Sequence, residues 1–203
     1  MEILRCKKIP TRQADTLILV FLSKPSGMAE GLVIIPTYNE IENIEAITRA
    51  VFALPRAYDV LIVDDNSPDG TADRVRELQN EFPHSLHLEV RKGKTGLGTA
   101  YIHGFKWALE HSYNYIFEMD ADFSHSPSYI PDMLEQIGNF DVVVGSRYVG
   151  GGQLDERWSW WRWFLSWWAN SVWPRGILGV GPKDATAGFK CWRQSVPKTA
   201  NAA

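Results

Sequence analysis

Tyr115-Ile116-Phe117-Glu118-Met119-Asp120-Ala121-Asp122-Phe123-Ser124-His125 decides how the chain is read. Its first five residues have the apolar character of a short buried strand. Asp120 and Asp122 then follow with only Ala121 between them. At the end of a parallel strand, such a turn aims two carboxylates into the crevice above the sheet, where open α/β sheets bind their ligands. Carboxylates this close repel one another unless a cation lies between them. A hard divalent ion with oxygen ligands and substrate phosphates meets that need. The alternative is a pair of loop acids capping the helix that begins near Pro127.

Segments of the same kind lie on either side. Gly31-Leu32-Val33-Ile34-Ile35-Pro36 is an apolar run ended by proline, as expected of a buried parallel strand. Ile41, Ile44, Ile47 and Val51 recur at helical spacing before Pro55. Residues 59–63 predict a second strand, and the turn formers from Asp64 to Gly70 lead into a helix over 71–80. Residues 86–90 alternate as a third strand. Gly93, Gly96 and Gly98 precede a helix over 99–110, and a further helix is expected over 127–137. Residues 141–145 predict a fifth strand, and Phe189 to Arg193 a further short one. Strands alternating with helices of this length predict an α/β fold with a doubly wound, mostly parallel sheet.

The 203 residues suffice for one domain with a sizeable core. Hydrophobic residues at 45%, charged residues at 22% and a net charge of −3 describe a globular chain with no general attraction to nucleic acid. Cys6 and Cys191 have neither metal-ligand spacing nor a disulfide framework, which suits a reducing cytosol. No run approaches the roughly 18 apolar residues that span a bilayer. The apolar stretch Thr16 to Leu22 follows Arg5, Lys7, Lys8 and Arg12 and only loosely imitates a signal peptide. With Met28 standing just before the first strand, residues 1–27 read as an upstream extension outside the fold. Of nine tryptophans, seven lie between Trp158 and Trp173, beside Arg157, Arg162 and Arg175.

Glu40, Asp64, Asp65 and Asp69, and Asp120 with Asp122, lie at the carboxyl ends of successive strands and are expected to converge on one crevice. Acids in the early loops suit the ribose hydroxyls and base of a nucleotide. Arg147, at the end of the fifth strand, suits phosphate oxygens. Lys92 and Lys94 fit either phosphate binding or a solvated turn, and Asp69 and Asp73 fit helix capping. The loop from Arg91 to Gly98 lacks G-x-x-x-x-G-K-[ST], and no G-x-G-x-x-G follows the first strand, which argues against an NTPase or a dinucleotide enzyme. No G-x-S-x-G elbow is present, and His103 and His125 read as structural.

Five segments occur in order: Ile35 to Glu40 (IPTYNE), Val63 to Thr71 (VDDNSPDGT), Gly96 to Tyr101 (GLGTAY), Met119 to His125 (MDADFSH) and Gly145 to Tyr148 (GSRY). Together they resemble the family 2 glycosyltransferases, and most closely the dolichol-phosphate (polyprenol-phosphate) mannosyltransferases, over residues 30–193. The resemblance implies a nucleotide-diphospho-sugar transferase (GT-A) fold. It also implies inverting transfer of mannose from GDP-mannose to a polyprenyl monophosphate. Carried over by position, Pro36, Tyr38, Glu40, Val63 and Asp65 line the nucleotide pocket. Asp120, Ala121 and Asp122 hold the diphosphate with Mg²⁺ or Mn²⁺. Ser124 stands where some relatives place a further metal ligand, and Arg147 faces the phosphates, so that Asp120, Asp122 and Arg147 carry the chemistry.

Such an acceptor implies peripheral contact at the cytoplasmic face of a membrane. The tryptophan stretch suits that setting, with a buried aromatic helix or a loop over the site as the alternative. Ser166, Ala169 and Asn170 match the family's helix after the sheet. The family continues past Trp192-Arg193, so residues 28–203 read as a catalytic domain truncated at its C-terminus. Two other readings stay open: a family 2 enzyme using UDP-glucose or a glycan acceptor, and a non-catalytic nucleotide-sugar-binding domain.

Overall fold

Leu32, Val33, Ile34 and Ile35 are fully buried, as are Val60, Leu61, Ile62 and Val63. Runs with no polar face require a sheet covered on both sides. In the computed structural model, residues 3–5, 29–145 and 188–197 are described. In chain order the elements are β1 (Ile3–Arg5), β2 (Gly31–Thr37), α1 (Ile44–Phe52), β3 (Tyr58–Asp64), α2 (Thr71–Gln79), β4 (Leu86–Val90), α3 (Leu97–Glu110), β5 (Tyr115–Glu118), a 3₁₀ turn (Pro127–Tyr129), α4 (Ile130–Ile137), β6 (Val142–Gly145) and β7 (Lys190–Arg193).

The seven strands form one sheet in the order β1-β6-β7-β5-β2-β3-β4. β5, β2, β3 and β4 are mutually parallel, with Val33 opposite Val60 on one side and Phe117 on the other. β7 runs antiparallel between β5 and β6, pairing Cys191 with both Phe117 and Val143. The expected mostly parallel, doubly wound sheet is therefore present, with one reversed strand inside it. Ile3–Arg5, from the segment read as an extension, lies antiparallel along β6. The rest of residues 1–27, and the tryptophan stretch 158–173 with Ser166, Ala169 and Asn170, lie outside the described residues.

Alternate side chains of each strand feed two apolar layers. Val33, Ile35, Val60, Ile62 and Phe117 pack with Ile44, Ile47 and Val51 of α1, Val75 and Leu78 of α2 and Met133 and Ile137 of α4. Leu32, Ile34, Leu61, Val63 and Ile116 pack with Ala100, Tyr101 and Ala108 of α3. Each fully buried aliphatic side chain contributes about 1.5–3 kcal/mol. A β-carbon at Gly104 would stand 2.6 Å from Ile34 Cγ2, so the bare position lets α3 lie directly on β2.

Ile41 departs from the expected helical stripe. It is 39% exposed and precedes α1. Its N–H donates to Asp69 Oδ2 at 3.1 Å, and the Glu40 N–H donates to Thr71 Oγ1 at 3.0 Å. These side-chain acceptors hold the segment as a loop where the apolar spacing alone favoured an earlier helix.

Candidate functional site

The loops after β2, β3 and β5 meet at the carboxyl edge of the sheet, around a cleft with a volume of about 250 Å³. Pro36, Tyr38, Glu40, Asp65, Asp120, Ala121 and Asp122, all singled out from the sequence, line it together. Thr37, Lys94, Gly96, Leu97 and Ala100 complete the wall. Val63 does not join them: its side chain is fully buried in the layer under α3, leaving only its main chain for any ligand. Ser124 is exposed beside Asp122. Arg147 lies outside the described residues.

Asp64 and Asp65, adjacent in sequence, do different work. The Asp64 carboxylate is fully buried and accepts from Thr37 Oγ1 at 2.8 Å, the Ser67 N–H at 2.8 Å and Ser67 Oγ at 2.6 Å. It ties the end of β2 to the loop after β3. The Asn39 N–H adds a bond to Ser67 Oγ at 3.0 Å, and Asn39 and Asn66 take left-handed backbone angles that asparagine tolerates. Asp65 turns to the cleft instead, where Arg91 Nε donates to its Oδ1 at 2.5 Å. Arg91 also donates to Thr99 Oγ1 at 2.9 Å, which braces the glycine loop over the site.

Asp69 accepts from the Thr71 N–H, Thr71 Oγ1 and the Ile41 N–H. Burial acts to raise its pKa, and these bonds from Thr71 and Ile41 outweigh it, so the net shift is downward. Asp69 thus starts α2 and fixes the loop leading into α1. Asp73 is exposed and pairs with Arg76 at 2.5 Å.

At the centre, the Tyr101 hydroxyl donates to Asp120 Oδ1 at 3.0 Å. Asp122 is exposed and accepts from the Ser124 N–H at 2.9 Å. Phe123 between them has a φ of 58°, an unusual angle for a bulky residue that bends the turn back on itself. One residue before the turn, Glu118 is 5% exposed and accepts from Lys190 Nζ at 3.0 Å and Trp192 Nε1 at 3.1 Å. Burial raises its pKa, and Lys190 and Trp192 only partly offset this. His103 bonds to Glu89, and His125 is buried against the Phe189 ring.

Among the described residues, neither Asp120 nor Asp122 forms an ion pair, and no cluster of three or more His, Cys, Asp or Glu groups them with a further ligand. A small hard cation binds through one or two carboxylates, keeping water and substrate phosphates as its other ligands. Two carboxylates on one cleft, without an ion pair to any described residue, fit that requirement.

Sequence reasoning passed over Arg91, Tyr101 and Gly188. Arg91 directly follows β4 and so lies on the ligand-bearing edge, a signal that was available. Tyr101 stands one turn after Leu97, in the end of α3 nearest the cleft. Gly188 reaches Asp120 only through the pairing of β7.

Residues 32–192 match the family described as Glycosyl transferase family 2. The chain is 47% identical over 163 residues to the undecaprenyl-phosphate mannosyltransferase of Micrococcus luteus, covering 80% of this chain and 65% of the relative. It is 45% identical over 167 residues to the polyprenol monophosphomannose synthase of Mycolicibacterium smegmatis, covering 81% and 62%. To the dolichol-phosphate mannosyltransferase of Pyrococcus furiosus it is 40% identical over 176 residues, covering 81% and 46%. The chain therefore spans between about half and two thirds of these relatives' lengths.

Among solved structures, the mannosyltransferase PcManGT from Pyrobaculum calidifontis, in complex with GDP-Man and Mn²⁺, aligns with a TM-score of 0.55 at 18% identity, covering 87% of this chain and 48% of that one. S. aureus TarS 1-349 aligns with a TM-score of 0.57 at 17% identity, covering 84% and 48%. These likenesses establish the GT-A fold.

Proposed function

Because the chain belongs to glycosyl transferase family 2, we propose that it catalyses metal-dependent, inverting transfer of mannose from GDP-mannose to a dolichyl or other polyprenyl monophosphate. The observation that carries this reading is the convergence of Asp120 and Asp122 with Tyr38, Glu40 and Asp65 on one cleft. The mannosyltransferase relatives support the sugar and the lipid class, and the fold neighbour holding GDP-Man and Mn²⁺ supports the donor and the metal.

Glu40 and Asp65 accept hydrogen bonds from the base and ribose, and the Tyr38 ring offers them an apolar surface. Pro36 and the small Ala121 let the nucleotide and diphosphate approach the main chain, with Val63 contributing through its backbone. Asp120, Asp122 and the Ser124 hydroxyl supply oxygen ligands, and Arg147 is the residue for the phosphates. When bound, Mg²⁺ or Mn²⁺ neutralises the departing diphosphate as a Lewis acid. The residues opposite must hold the acceptor phosphate behind the anomeric carbon. Its oxygen then bonds to C1 while the C1–O bond to the diphosphate breaks and that electron pair leaves with GDP. A phosphate monoester with a second pKa near ~6 is largely dianionic at neutral pH, so the site needs positioning and charge stabilisation more than a base.

The apolar tail of the acceptor calls for work at the cytoplasmic face of a membrane. No helix among the described residues is long and apolar enough to cross one. The test is incubation of the full chain with radiolabelled GDP-mannose, polyprenyl phosphate and Mg²⁺ or Mn²⁺. Label entering the organic phase, and lost with EDTA or in Asp122→Ala, is the expected result. Metal-dependent GDP-mannose binding with no lipid product would overturn the acceptor assignment.

A further inference from the structure

The two cleft carboxylates are held very differently. Asp120 Oδ1 accepts from the Tyr101 hydroxyl at 3.0 Å. On its other side Gly188 lies so close that a β-carbon there would come within 2.4 Å of Oδ2. Asp122 is exposed, and its described bond comes from the N–H of Ser124 in its own turn.

We propose that Tyr101 and Gly188 clamp the Asp120 carboxylate in one direction, with Tyr101 acting as a positioning residue for a divalent cation bound with a nucleoside diphosphate. The inference rests on the reading of the cleft given above. Tyr101 is 8% exposed and packs in the layer with Leu32, Ile34 and Ile116, so its hydroxyl cannot swing away without uncovering core. A carboxylate oxygen only accepts, so the Tyr101 hydroxyl is the donor in this contact. Gly188 acts by shape: its bare α-carbon limits rotation of the carboxylate without taking a lone pair. The remaining lone pairs of Asp120 are oriented before any ligand arrives, while Asp122 is left to follow the cation. A partner that orients a ligating carboxylate is typically worth about ten-fold to a hundred-fold in metal affinity.

The test is titration of Mn²⁺ into the full chain at fixed GDP, reading free Mn²⁺ by electron paramagnetic resonance, with thermal unfolding of each variant alongside. Tyr113→Phe, which removes a hydroxyl bonded to Asp59 at 2.6 Å away from the cleft, is the control. Expected are affinities at least about ten-fold weaker for Tyr101→Phe, weaker also for Gly188→Ala, and unchanged for Tyr113→Phe. In an Asp120→Ala background, Tyr101→Phe is expected to add nothing.

Wild-type Mn²⁺ affinity in Tyr101→Phe overturns the clamp, as does an equal further loss in the Asp120→Ala background. Should Tyr101→Phe fail to fold, wild-type affinity in Gly188→Ala overturns it. Absence of Mn²⁺-dependent GDP binding in the wild type overturns the reading of the cleft itself, and the clamp with it.

Discussion

Both Nε and an Nη of Arg91 lie 2.5 Å from the same oxygen of Asp65, Oδ1. Oδ2 is thereby left for another donor on the cleft side. Both side chains are largely buried, so removing either partner strands a charge. Arg91→Ala is expected to lower stability by about 3 kcal/mol in urea unfolding. Combining it with Asp65→Asn should recover part of that loss, and strict additivity of the two would contradict the coupling.

Lys94 Nζ rests 4.2 Å from the centroid of the Tyr38 ring, and both residues line the cleft. A cation on an aromatic face at an exposed site contributes about 0.5–1 kcal/mol. Lys94→Ala is therefore expected to change unfolding stability by less than about 1 kcal/mol. Its effect should appear instead in GDP binding by calorimetry, as weaker affinity with a shallower salt dependence. Unaltered affinity and salt slope would assign Lys94 to the solvated loop alone.

Glu118 joins β5 to the reversed strand through Lys190 and Trp192. Glu118→Ala leaves a largely buried ammonium and an indole N–H without their acceptor, at a cost of about 3 kcal/mol. Hydrogen exchange should show the loss concentrated in the β5–β7 and β6–β7 ladders, with β2–β3 protected as before. Uniform loss across the sheet would count against a local tie.

The bonds that lower the Asp69 pKa in the folded chain make stability depend on pH with a fixed sign. The charged form is favoured by folding, so its contribution is fully present above the unfolded value near 3.8 and disappears as pH falls through the lower folded value. The stability gap between wild type and Asp69→Asn should be constant above that range and narrow in acid. A gap that widens on acidification would reverse the assignment.

Much of this was legible because burial on two faces leaves a continuous signature. The apolar runs at residues 31–36 and 59–63 admit few structures other than central parallel strands. Acids at the ends of such strands meet by topology, so Glu40, Asp65, Asp120 and Asp122 could be grouped without knowing any contact. Ile41 misled because spacing says nothing of Asp69 and Thr71 competing for the adjacent main chain. Val63 was placed at the pocket by the resemblance, and the pattern around it does not tell that its side chain packs in the layer under α3 while only its main chain faces the carboxyl edge. The hold of Gly188 on Asp120 spans nearly seventy residues of chain and leaves no local pattern.

The reversed strand also sets a timetable. Among the described strands, β6 joins the parallel ones through β7, whose residues follow it by more than forty positions. While the chain is being made, β2 to β5 can assemble once residue 118 is free, yet the outer side of β5 stays bare until Lys190 to Arg193 emerge. That interval exposes the row of unpaired amides and carbonyls that recruits strands from other chains. A nascent chain stalled before Gly188 would carry its acidic turn beside an open, adhesive edge.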